Sequence, residues 1–185
     1  MKYNGSRRQR VFGPTQLLLR RFGRNKDGAA AVEFALIAIP FFALLFAILE
    51  TALSFFAGQL LETGVFNASR LIRTGQAQEA GFSANQFRDA VCDEVFGLLD
   101  CQNDIVVDVR TYVDFNDAAN LDEPVQNGEF NFQPQFDPGD REEIVVVRAF
   151  IQWPTIVPKL GNDMSNLSNG NRLLASAVTF RNEPF

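Results

Sequence analysis

The run Ala29 to Leu49, AAAVEFALIAIPFFALLFAIL, constrains this chain more than any other stretch, because its 21 residues carry a single charge, Glu33. About 20 apolar residues in a helix match the thickness of a bilayer's hydrocarbon core. A core helix of a water-soluble protein must be wrapped on all sides, and the remainder of a 185-residue chain is too small for that. A membrane span is the expectation. The run exceeds the apolar core of an ordinary secretory signal, and no small-x-small cleavage site follows it before a helical pattern resumes at Leu53. Retention as an anchor is therefore expected.

Charge sets the orientation. Eight of the 17 Lys and Arg residues, but only one of the 22 acidic residues, stand before Ala29, so the net charge of −5 divides into +7 before that point and −12 after it. Lys and Arg gather on the cytoplasmic side of spans, which places the basic arm inside and the acidic body outside. In a bacterium this is a single-pass inner-membrane protein with a cytoplasmic N-terminus and a periplasmic C-terminal domain. An acidic body repels phosphate, so no nucleic-acid partner is expected for it. The arm itself reads either as a disordered tail or as a segment lying on anionic lipid of the inner leaflet.

Beyond the span, Leu53, Phe56, Ala57, Leu60, Leu61, Gly64, Ala68, Leu71 and Ile72 recur at three- and four-residue steps. One helix is expected from Ala29 to about Arg73, reaching about 68 Å at 1.5 Å per residue, with an outer half that packs this stripe on a small domain. Pro40 inside the span predicts a kink. Ser83 reads as an N-cap for a helix through Phe87, Val91, Val95 and Leu98-Leu99. Alternation from Ile105 to Phe115 predicts a half-buried strand that turns Asp108 and Arg110 away from the core. Asn116 to Asp140, with Phe130, Phe132 and Phe136, reads as a long loop with aromatic anchors or a short edge strand. Ile144 to Trp153 and Leu173 to Phe180 are further strands, joined through Pro154, Pro158 and Gly161 to Asn171. The expected fold class is α+β: a long membrane-spanning helix packed on, or leading into, a small antiparallel β-sheet domain. The expected organisation is a basic leader or arm (1–28), a long helix (29–75) and a periplasmic domain (76–185).

Cys92 and Cys101 are the only cysteines, with eight residues between them. An external compartment would let them pair, and closing so short a loop contributes roughly 2.5 kcal/mol in the chain-entropy account. Free thiols are the second reading. A metal is the weakest, since two thiols in a chain without histidine cannot complete a tetrahedral site unaided.

The sequence holds no histidine, no G-x-S-x-G, no Walker loop and no H-E-x-x-H, so no catalytic residues, metal site or cofactor are expected, and the chain does not read as an enzyme. Asp93, Glu94, Glu142 and Glu143 could supply a carboxylate pair, but in an acidic chain such residues are ordinarily solvated surface.

Asp27-Gly28-Ala29-Ala30-Ala31-Val32-Glu33-Phe34 puts a glycine at the end of the basic arm, a carboxylate five residues on, and then an aromatic ring. This resembles the class III leader of Flp and Tad pilins and pseudopilins. The resemblance implies cleavage between Gly28 and Ala29 by a prepilin peptidase, with Glu33 and Phe34 serving recognition and assembly and Glu33 pairing with the N-terminal amine of a neighbouring subunit. A carboxylate costs about 2.5–3.5 kcal/mol at mid-bilayer and less near the edge, so the competing reading of Glu33 is that it snorkels to the headgroups. RRFGRNKDGAAAVEFALIAIPFFALLFAILE, ASRLIRTGQAQ, FRDAVCDEVFGLLDC, VDVRTY and RNEPF together resemble the TadE-like family of pilus assembly proteins. That implies a minor pseudopilin or assembly factor of the Tad (Flp) tight-adherence pilus, working with the prepilin peptidase, other Tad pilins and the inner-membrane secretion machinery. Phe34 stands where many Flp pilins carry tyrosine. Longer TadG-like relatives need a D-x-S-x-S metal motif that is absent here. The alternative is a single-span anchor presenting an external adhesion or sensor domain through Phe130, Phe132, Phe136 and Trp153.

Overall fold

The computed structural model describes residues 28–95, 101–155 and 164–185. The basic arm before Gly28, Leu98-Leu99 and the Pro158 connection lie outside them. The chain divides into two units, Met1–Leu45 and Phe46–Phe185.

Helix α1 runs over Ala29–Arg73, 45 residues, and Pro40 lies inside it without ending it. It is the one helix among the described residues that is long and apolar enough to cross a membrane, with a mean hydropathy of 2.6 over its most apolar window and none of that window buried. Throughout the first unit its side chains face outward, among them Phe34, Leu36, Ile37 and Ile39. A surface this apolar is stable only against lipid or other apolar partners.

In the second unit α1 buries one stripe: Glu50, Ser54, Ala57, Leu61, Gly64, Val65, Ala68 and Ile72. Leu53 and Phe56, expected in that stripe, are exposed instead. They stand one position before the buried Ser54 and Ala57, about 100° around the wheel, and so point away from the sheet.

The helix ends at Thr74-Gly75, where Gly75 adopts φ +81°. A short turn α2 (Gln76–Glu79) follows. Helix α3 (Ala84–Asp93) starts from Ser83, whose Oγ accepts from the Gln86 backbone N–H while the Gln86 side chain accepts from the Ser83 N–H. The N-cap is where the sequence predicted it and the structure completes it as a capping box, but α3 ends at Asp93, short of Leu98-Leu99. Cys92, near its end, is bonded to Cys101, the first residue of the turn α4 (Cys101–Asp104), with Cα atoms 5.5 Å apart. Gly64 is where α1 and α3 meet: a Cβ there would lie 2.9 Å from the Val91 carbonyl oxygen and 2.9 Å from a Val95 methyl carbon.

The sheet is antiparallel, in the order β1 (Val106–Tyr112), β4 (Ile144–Pro154), β5 (Asn171–Arg181). A small hairpin, β2 (Val125–Gln126) with β3 (Glu129–Phe130), lies in the loop between β1 and β4. One face of the sheet, with Val107, Val109, Val145, Val147, Ala149, Ile151 and Leu174, forms the main core with Leu61, Val65 and Ile72 of α1 and Phe87 and Val91 of α3. The other face is covered by the 117–133 loop, through Ala118 and Leu121 against Ile144 and Val146, and Phe130 and Phe132 against Phe150. The central strand β4 is therefore buried on both faces, which is why Ile144 to Ile151 reads as an apolar run broken only by Arg148 rather than an alternating one.

β1 stops at Tyr112 instead of running to Phe115; Val113 and Phe115 are exposed. The Asp114 carboxylate accepts from the Asp117 N–H and its carbonyl from the Ala118 N–H, turning the chain into the 3-10 segment Asp117–Ala119. Of the two readings of the 116–140 stretch, the loop with aromatic anchors is the one observed, with a single isolated bridge to the edge of β1. Phe130 and Phe132 anchor the loop, and Phe136 pairs beside Val109 on the β1 edge, where Val109 donates to the Gln135 carbonyl and Asp137 donates to the Val109 carbonyl.

Candidate functional site

Gly28, Ala29, Glu33 and Phe34, the residues expected from the sequence at a processing junction, lie at the start of α1. Gly28 precedes the helix and its carbonyl accepts from the Val32 N–H at 3.1 Å, closing the first turn. Glu33 and Phe34 follow on exposed positions, Phe34 with 70% of its surface free. Among the described residues nothing packs over the turn: a Cβ added at Gly28 would meet no atom within 4 Å. A surface-exposed Gly-Ala junction at a helix start, with a carboxylate slightly more than one turn inside, is accessible backbone beside a single fixed charge.

The other carboxylates singled out from the sequence are on the surface, in two separate places. Glu94 accepts from the Asn67 amide at 3.0 Å at the end of α3, with Asp93 exposed beside it. Glu143 accepts from the Asp140 N–H at 2.8 Å, and the Glu142 carbonyl accepts from Arg181 in the turn before β4. The aromatic residues considered as an adhesive surface are half-buried: Phe136 and Trp153 pack on the main core, Phe130 and Phe132 on Phe150.

A cluster that sequence reasoning placed toward solvent lies in the interior. Asp108 is fully buried, opposite Arg148 in the β1–β4 register. Its carboxylate accepts from Arg148 Nη2 at 2.8 Å and Nε at 3.1 Å, from Arg110 Nε at 3.0 Å and from the Gln135 N–H at 2.8 Å. Arg148 also donates to the Asp122 carbonyl at 2.9 Å and lies 4.8 Å from the centre of the Phe132 ring. Arg110 donates to the Asp122 carboxylate and the Gln133 carbonyl. Burial works against the Arg110 cation, but its hydrogen bonds to Asp108 and Asp122 and the Asp108 charge outweigh it and raise the guanidinium above its ordinary value. The bonds of Asp108 to Gln135, of Arg148 to Asp122 and of Arg110 to Asp122 and Gln133 join the sheet to the 121–136 loop, so the cluster fastens that loop over the face opposite α1. The readable signal was Arg148, the single charge in the apolar run of β4.

The C-terminal RNEPF closes on the end of α1. The Glu183 N–H donates to the Arg73 carbonyl at 2.9 Å, satisfying one of the helix's last free acceptors, and their side chains pair at 3.3 Å. The Phe185 ring covers Gly75 so closely that a Cβ there would lie 2.3 Å from it. ASRLIRTGQAQ and RNEPF, more than a hundred residues apart, are thus one packed unit.

No curated protein and no solved structure matches the chain. A family model does, over residues 28–70, and it takes in the Gly-Ala junction, Glu33, Phe34 and nearly all of α1. The matched family points to Tad pilus assembly, to other pilus components and to a membrane environment. From Gly28 to Arg70 the chain is similar to TadE-like proteins.

Proposed function

We propose that this chain is a minor pseudopilin or assembly factor of the Tad (Flp) pilus, held in the bacterial inner membrane by the first part of α1 with its folded domain in the periplasm, and needed for pilus biogenesis and adherence. The observation that carries the reading is the exposed Gly28–Ala29 junction at the mouth of an apolar helix, with Glu33 and Phe34 on its first turns, inside the TadE-like match. A prepilin peptidase is the partner at that junction. Cleavage there would free the Ala29 amine, and Glu33 of one subunit would pair with such an amine on its neighbour, a contact between opposite charges that strengthens as water is excluded. The +7 arm keeps the N-terminus cytoplasmic.

Glu33→Ala tests the assembly role. The variant should insert in the membrane at the wild-type level, by fractionation, while cells carrying it make no pili and do not adhere. Normal pili would leave Glu33 as a residue that only reaches the headgroups.

A further inference from the structure

From Phe34 to Gly58, α1 offers no uncovered polar side chain to its surroundings. The stretch contains three polar residues, Glu50, Thr51 and Ser54. Glu50 is 8% and Ser54 3% exposed, both turned into the protein. Thr51 returns its hydroxyl to the Ala47 carbonyl at 2.8 Å, the internal bond that satisfies such a group in apolar surroundings. The surface left is apolar beyond the end of the Ala29–Leu49 run: Leu53 is exposed, Phe55 is 71% and Phe56 55% exposed. The first exposed polar side chain after Glu33 is Gln59, bonded to Glu62.

Two placements of the bilayer on α1 have nearly the same length. Ala29–Leu49 puts Glu33 within hydrocarbon and leaves the rings of Phe55 and Phe56 in water. Phe34–Phe56, about 34 Å of helix against a core of about 30 Å, puts Glu33 at the headgroup boundary and both rings in lipid. The second placement brings Glu50 to membrane depth, which sequence alone would count against it, but the burial of Glu50 removes the objection because its side chain is not presented to lipid.

We infer that the lipid-facing surface of α1 extends from Phe34 to Phe56, so that Leu53, Phe55 and Phe56 lie among the acyl chains of the outer leaflet and the side of the folded domain around Glu50 and Ser54 is seated at membrane depth. The inference rests on the membrane-anchor reading of α1 and adds to it the depth at which the chain sits. The partner of the exposed rings is lipid, by continuity with the apolar surface that precedes them on the same helix.

The test uses the full-length protein in vesicles of phosphatidylcholine and phosphatidylglycerol, with Trp153→Phe to silence the single native tryptophan. Leu44→Trp, Phe55→Trp and Phe66→Trp are each introduced separately. Quenching is read with lipid brominated on the upper acyl chain and with aqueous iodide. Phe55→Trp should lose emission to brominated lipid as Leu44→Trp does and resist iodide, whereas Phe66→Trp should show the reverse. Quenching of Phe55→Trp by iodide alone, with Leu44→Trp still quenched by brominated lipid, overturns the inference and leaves the anchor standing. Protection from both quenchers means that a second copy covers the ring, and overturns it too. Failure of brominated lipid to quench Leu44→Trp overturns the anchor itself. Should Trp153→Phe fail to fold, a membrane-impermeant maleimide on the otherwise native chain decides: Phe55→Cys should be protected in vesicles while Gln59→Cys reacts, and equal reactivity refutes the placement.

Discussion

Replacing Asp108 by alanine removes the one carboxylate that three side-chain nitrogens and a backbone N–H converge on. Arg148 would keep its bond to the Asp122 carbonyl and its place beside Phe132, but its charge would stay in the interior with no anion beside it; the side chain is 5% exposed. Removing one partner of a buried ion pair costs about 3–5 kcal/mol, mostly as the penalty of the stranded charge. Arg110 can turn to the exposed Asp122 carboxylate, where an exposed pair is worth only about 0–1 kcal/mol, so it adds little to the loss. Against a domain stability of about 5–15 kcal/mol, the variant should sit near the edge of folding. The assay is guanidinium unfolding of the detergent-solubilised full chain, followed by the fluorescence of Trp153, which packs on the main core. Asp108→Leu combined with Arg148→Met should recover most of the loss, because two apolar residues leave no charge stranded. A loss below about 1 kcal/mol for Asp108→Ala, or a double variant that loses the sum of the two single ones, would refute the account of the cluster as a buried pair that fastens the loop.

Three other outcomes follow from the packing. Cys92→Ser should lower stability by roughly 2–3 kcal/mol in the same unfolding assay, and the wild-type chain should run faster on non-reducing than on reducing gels and resist alkylation until reduced. Gly75→Ala combines a positive φ with a collision against the Phe185 ring; it should cost more than about 1 kcal/mol, and a neutral result would mean that the C-terminal residues do not dock on the helix end. Ser83→Ala should cost about 1 kcal/mol through loss of the capping box, read as a lower unfolding midpoint with an unchanged slope.

The bounds of α1 were legible because two signals met at its ends: apolar composition begins at Ala29, and the three- and four-residue rhythm stops before Gly75. Ser83 marked the start of α3, and all three strands of the sheet were visible as β-branched or apolar runs. What stayed hidden depended on partners far along the chain. Leu53 and Phe56 are as apolar as Leu61 and Val65, and residue type does not distinguish a side chain facing lipid from one facing a core. Asp108 looked solvent-facing because alternation assumes one wet face, whereas here a loop more than ten residues further on covers that face. The seat of Phe185 on Gly75 has no local signature at all.

The claim that organises all of this is that Gly28–Ala29 is a processed junction at the mouth of a retained anchor. Intact-mass and N-terminal analysis of the protein extracted from membranes tests it most directly. The account predicts a mature chain beginning at Ala29 in cells with an active prepilin peptidase and the uncut chain in cells lacking it. An uncut chain in both, or a cut on the far side of the apolar run, would contradict it.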